Sequence, residues 1–224
     1  MDVAGGAMRL EGADSVRVAC CPQRFAKAAD DASWEHLWAP YDEATYERAL
    51  RYVPAGAAVL DIGAGDLRFA RQLAARARIV YAIELQAALL PSSPLPPCSP
   101  PPLPQDETYL PPNLIVLCGD ARTLPFPAGI DTAVLLMRHC AHFSLYREKL
   151  EAIGCRRLIT NARWRMGVEC IDLARRPQPY SELALGWYAC RCGATGFRPG
   201  PPEALDERLA DTVHEVERCP ECQT

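Results

Sequence analysis

A chain of 224 residues is longer than one average domain and shorter than two, so one core with a small appendage is expected. Apolar and charged fractions of 49% and 23% are ordinary for a globular protein, and a formal net charge of -4 argues against coating nucleic acid through the whole surface. No stretch approaches the ~20 apolar residues of a membrane span, and the start MDVAGGAMRLEGAD lacks the apolar run of a signal peptide, so the expected location is cytoplasmic.

Residues 1–40 mix Gly, Ala and charges with Cys20, Cys21, Trp34 and Trp38, and read as an N-terminal covering segment. The main domain is expected over 41–185. At its start, DEATYERALRYV spaces Ala44, Tyr46, Ala49, Leu50 and Val53 as a helix with acids in its first turn, and Pro54-Ala55-Gly56 stops it. Strand-length apolar runs follow at 57–62 and 79–83, with Leu67, Phe69, Ala70 and Leu73 recurring between them like one face of a helix. That βαβ unit implies parallel pairing with a right-handed crossover.

Over 91–112 the composition changes to PSSPLPPCSPPPLPQDETYLPP, where repeated proline removes backbone donors and fixes φ. It reads as a surface insertion. Strands are expected again at 114–118, 132–137 and 157–160. Strands alternating with helices place the core in the α/β class.

The chemistry gathers at strand ends. Gly63-Ala64-Gly65 follows the first strand, and a glycine loop there lets backbone approach a ligand closely while the next helix offers free amide donors. A dinucleotide fingerprint wants a third glycine where this chain has Arg68, which disfavours a nicotinamide or flavin oxidoreductase. Glu84 ends the second strand about 20 residues beyond Asp61, the position from which a carboxylate accepts ribose hydroxyls. Asp120 ends the third strand. Three strand ends thus converge on one nucleoside.

Over roughly residues 41 to 160 the chain resembles the class I S-adenosylmethionine-dependent methyltransferases. VLDIGAGDLRFA is similar to that family's first motif, YAIEL to its second, and GDARTLPFPAGIDTAVLLM to the stretch leading into its fourth strand. The resemblance implies a Rossmann-like, doubly wound, mostly parallel sheet and S-adenosylmethionine as cofactor. It places Gly63, Ala64 and Gly65 around the methionine part, with Asp61 supporting the amino group. Glu84 would hold the ribose and Asp120 with Ala121 the adenine; Leu85 and Met137 are further cofactor contacts, and Tyr41, with Trp34 and Trp38, is either a lid over the cofactor or packing against the core. Two departures stand out: Asp66 occupies a place where the family usually has Gly, and the proline insertion replaces most of the helix between strands two and three.

Methyl transfer from a sulfonium needs positioning above all, and a base only if the acceptor must lose a proton. Directly after the fourth strand, Met137-Arg138-His139-Cys140-Ala141-His142 brings two imidazoles to the expected methyl position. His139 is the first candidate for the base and His142 the second. The Asn-or-Asp-Pro-Pro-aromatic signature of base-amino methyltransferases is absent from the chain. The arginines at 156, 157, 163, 165, 175 and 176 read as a solvated face, and the acidic balance favours a small molecule or protein over nucleic acid as the acceptor.

Eleven cysteines call for metal binding or burial in a reducing compartment. Cys190 and Cys192, with Cys219 and Cys222, are two close pairs suited to one tetrahedral structural zinc, with a ribbon or helix between them. His214 is a substitute ligand at a less natural spacing. Residues 186–224 are therefore expected to form a small zinc-ribbon-like module. The sequence supports a methyltransferase first, and second a protein that holds the cofactor or S-adenosylhomocysteine without turnover, as a sensor or scaffold. A short chain with such an appendage also leaves room for a protein partner.

Overall fold

The computed structural model describes residues 41–90, 110–138, 140–163, 165–204 and 212–223. Trp34, Trp38, His139 and most of the proline-rich segment lie outside them.

Six strands make the main sheet: β1 (Ala58–Ile62), β2 (Ile79–Glu84), β3 (Leu114–Cys118), β4 (Thr132–Leu135), β5 (Arg157–Thr160) and β6 (Glu169–Asp172). Their spatial order is β3-β2-β1-β4-β5-β6, all parallel except β6, which runs antiparallel to β5. Every residue of β1 and β4 is buried, as central strands covered on both faces must be. The order reverses between β1 and β4, and a ligand crevice is expected outside the strand ends at such a switch point. The sheet is Rossmann-like.

Its two faces carry different helices. On one, α1 (Glu43–Tyr52) and α2 (Arg68–Ala74) pack Tyr46, Ala49, Phe69 and Leu73 against Val59, Val80, Val116 and Ile159. On the other, α3 (Phe143–Ala152) packs Phe143, Tyr146 and Leu150 against Leu60, Ile83, Ala133 and Leu158. Neighbouring strand residues such as Val59 and Leu60 belong to opposite cores, the alternation a strand imposes. Asp42 caps α1 by accepting the Thr45 N–H at 2.7 Å. Tyr46 stacks on Phe69 with ring centres 4.9 Å apart, joining α1 to α2.

A second sheet comprises β7 (Gln178–Pro179), β8 (Gly186–Cys190), β9 (Thr195–Arg198) and β10 (Val213–Glu217), in the order β7-β10-β8-β9. It draws in residues 178–179, ahead of the boundary expected at 186. The segment β10 lies parallel to both β7 and β8, and the interval between the cysteine pairs holds the two strands β9 and β10. Leu183, Tyr188, Cys190, Val216 and Cys219 form its own small core. Among the described residues no helix is long and apolar enough to cross a membrane.

Candidate functional site

The glycine loop leaves β1 at the edge where the strand order reverses. The amides of Gly63 and Ala64 both donate to the Ile83 carbonyl of β2, at 2.9 and 3.0 Å. The Gly65 N–H donates to Glu84 Oε2 at 2.8 Å and the Gln86 N–H to Oε1 at 2.7 Å. Glu84 is thus oriented by amides from the loop and from its own strand end. Burial pushes its carboxyl above the usual range, and these donors pull it back.

Asp61, one strand over, is buried and differently placed. Its Oδ2 has no hydrogen-bond partner among the described residues, and burial together with the Glu84 charge raises its carboxyl from 3.8 to about 7. A buried carboxylate oxygen without a donor is costly, so a cationic N–H donor brought by a ligand stabilises this pair.

Gly63 has φ +75, and a Cβ there would come within 2.9 Å of Met137 Cε, which places Met137 directly on the loop. Next to Asp66 the backbone turns left-handed. Leu67, fully buried, is the residue at φ +68, in the left-handed region that favours glycine. Asp66 instead accepts the Arg68 N–H at 3.1 Å and pairs with its guanidinium at 2.6 Å, covering the start of α2.

At the end of β3, Asp120 accepts the Arg122 N–H at 2.9 Å and its guanidinium at 2.7 Å, which holds its carboxyl below the usual range. Lys149 of α3 donates to the carbonyls of Ala121, Arg122 and Leu124, fixing the turn on which Asp120 and the buried Ala121 sit. Leu85 is half-buried beside Glu84. His142 stands just ahead of α3, edge-on to Tyr146, with Nε2 3.4 Å from an Arg122 guanidinium nitrogen. The Tyr41 hydroxyl accepts the Arg138 N–H at 3.0 Å, so Tyr41 closes onto the segment after β4, and the Arg138 guanidinium lies 5.3 Å from its ring centre.

Two residues near this edge gave no readable signal. Lys149 is one lysine in an ordinary helix. Of the six arginines read as a solvated face, Arg156, Arg157, Arg165, Arg175 and Arg176 are exposed, and Arg163 is the exception: it is 1% exposed and paired with Glu169 and Glu215.

The four tail cysteines do converge. Cys190 ends β8, Cys192 follows in the turn, and Cys219 and Cys222 lie beyond β10; all four Sγ atoms lie within 4.8 Å of one another, without His214. Separations of 3.5 Å (Cys190–Cys222) and 3.7 Å (Cys192–Cys219 and Cys219–Cys222) match the roughly 3.8 Å edge of a thiolate tetrahedron drawn with ~2.3 Å metal–sulfur bonds.

No family model matches this chain, and no curated protein does. Solved structures do resemble it. Precorrin 8w decarboxylase of Methanobacterium thermoautotrophicum is 18% identical over 56% of this chain and 66% of its own, with a TM-score of 0.42. A dimethyladenosine transferase of Plasmodium falciparum is 18% identical over 53% of this chain and 41% of its own, at 0.40. A TehB-like S-adenosylmethionine-dependent methyltransferase of Corynebacterium glutamicum is 16% identical over 53% and 62%, at 0.39. The match spans less than two thirds of each of those chains.

Proposed function

We propose that this chain binds S-adenosylmethionine at the β1–β2 edge and transfers its methyl group to an acceptor. The observation that carries the reading is the carboxylate pair beneath the glycine loop: Asp61 with an unpartnered buried oxygen, and Glu84 locked onto the Gly65 amide. When bound, S-adenosylmethionine supplies a methyl carbon already activated by a sulfonium.

The chain's own residues supply recognition and position. Amides of Gly65 and Gln86 orient the two Glu84 oxygens, and the carboxylate, with about four lone-pair sites, keeps acceptor capacity for a ribose hydroxyl. Asp61 would meet the ligand's ammonium beneath Gly63, Ala64 and Gly65, Leu85 would stand beside Glu84, Asp120 and Ala121 would border the base, and Met137 and Tyr41 would border the methyl group. Because that methyl carbon would arrive already activated, the residues' positioning of the acceptor would provide most of the acceleration. Where the acceptor must lose a proton, His139 or His142 takes it. In the second sheet, Cys190, Cys192, Cys219 and Cys222 hold a structural zinc; the sulfur spacing supports this, and four protein ligands leave no open position for catalysis.

Calorimetric titration of the zinc-loaded protein with S-adenosylhomocysteine tests the cofactor site. Saturable binding is expected in the wild type and a loss of at least about tenfold in Glu84→Ala, since a charge-assisted contact disappears. A folded wild type that binds neither S-adenosylmethionine nor its product refutes the reading. Binding without transfer of labelled methyl to any class of acceptor identifies a sensor or scaffold instead.

A further inference from the structure

Beside the proposed methyl position the described residues line a half-open cleft of about 380 Å³ whose lining carries Arg48, Arg138, Arg163 and Arg165 against a single acid, Asp42. It opens where an acceptor has to approach: Arg138 directly follows Met137, which lies on Gly63, and Asn161 directly follows β5. Arg48 reaches over from α1, its guanidinium 3.7 Å from where a Cβ on Gly167 would stand. Arg163 is held in place from behind by Glu169 and Glu215.

A second observation is independent of charge. Asn161 is 7% exposed, lines this cleft, and has both amide atoms buried without a hydrogen-bond partner among the described residues. A native fold rarely leaves a donor and an acceptor of one side chain both unsatisfied, and the cost is recovered when a ligand supplies the missing partners. The backbone holds Asn161 there: Thr160 Oγ1 donates to the Leu135 carbonyl at 2.8 Å and accepts the Ala162 N–H at 3.0 Å, tying the ends of β4 and β5 together.

We propose that this cleft is the acceptor subsite and that the acceptor is a small molecule bearing an oxyanion, phosphate or carboxylate, gripped by the guanidinium groups while Asn161 hydrogen-bonds its polar body. The acceptor role rests on the methyl-transfer reading; the anion site stands on its own residues. Guanidinium forks match the two oxygens of either group. The volume lies within the ~300–1,000 Å³ of small-ligand pockets, and a chain of net charge -4 is poorly suited to a polyanion.

The test titrates the zinc-loaded chain with inorganic phosphate and, separately, with succinate, in the presence and absence of S-adenosylhomocysteine. The wild type is compared with Arg48→Ser/Arg165→Ser, whose side chains are exposed, and with Asn161→Leu. Saturable binding of at least one anion is expected, weakened about tenfold or more in the arginine variant, with S-adenosylhomocysteine affinity unchanged. Which anion binds distinguishes phosphate from carboxylate. Asn161→Leu is expected to weaken the anion while keeping or raising the melting temperature, which a purely structural asparagine would not do.

No saturable anion binding, or binding that the arginine variant leaves intact, overturns the proposal. A parallel fall in S-adenosylhomocysteine affinity does so too, because it puts the arginines on the cofactor's own carboxylate. Displacement of phosphate by submicromolar single-stranded RNA overturns the small-molecule assignment. Anion binding with no S-adenosylhomocysteine binding rejects methyl transfer and the acceptor role with it, leaving an anion site.

Discussion

At the scale of single residues, the most consequential group is Asp61, because its folded carboxyl at about 7 lies well above the 3.8 of an exposed one. Between about pH 4 and 7 the folded protein keeps a proton that the unfolded chain has lost, so stability falls as pH rises through that window and the full cost persists above it. A displacement of that size corresponds to about 4 kcal/mol. Asp61→Asn, which cannot ionise, is therefore expected to raise the melting temperature at pH 7.5 and to flatten its dependence on pH between 4 and 7. Thermal melts of both proteins across that range decide the point; parallel curves would reject the burial of an ionisable Asp61. The sequence exposed Asp61 and Glu84 as strand-end acids but not their mutual repulsion, which depends on the register that sets Asp61 opposite Ala82. It was silent on Asn161 for a related reason: an orphaned amide is a property of what surrounds it.

At the scale of elements, the loop from β1 to α2 carries its strain at one residue and its close approach at another. Gly63→Ala places a Cβ against Met137 at φ +75, and is expected to cost roughly 1–3 kcal/mol and most of the S-adenosylhomocysteine affinity. Adding Met137→Ala removes the clash but not the backbone strain, so the double variant should recover part of the stability and not all of it. Denaturant unfolding measures both, and full recovery would show that φ matters little here. Such loops were legible because glycines and short apolar runs leave plain marks: strands 114–118 and 157–160 were read to the residue. The left-handed turn at Leu67 was not legible, because letters do not reveal which residue adopts it. Of β7, two residues long, and of β6, ECID with only Ile171 buried, the apolar pattern says almost nothing.

At the scale of the molecule, the two sheets are joined by charge as well as by packing. Arg147 and Arg163, each 1% exposed, belong to the main domain, and Glu215 on β10 pairs with both, at 3.7 and 2.5 Å. Arg191, in the turn after β8, pairs with Glu151 of α3, and the Gly193 turn fits against Phe143, where a Cβ would stand 3.1 Å from the ring. The cysteine group fixes the ends of β8 and β10, and hence the strand that carries Glu215. Composition announced the four-cysteine module, but nothing in it announced that the module neutralises arginines of the main domain, since those pairs span dozens of residues. Glu215→Gln keeps the shape and removes the charge; with Arg163 still held by Glu169, the expected loss is about 1–3 kcal/mol. Chelation of the metal should lower the melting temperature of the wild type by more than it lowers that of Glu215→Gln, because the variant has already lost part of what the module contributes. A double-mutant cycle with Arg163→Met, read with and without chelator, separates the two contributions. Equal chelator effects in wild type and variant would mean that the metal stabilises its own sheet alone and that the acceptor-side arginine is indifferent to it.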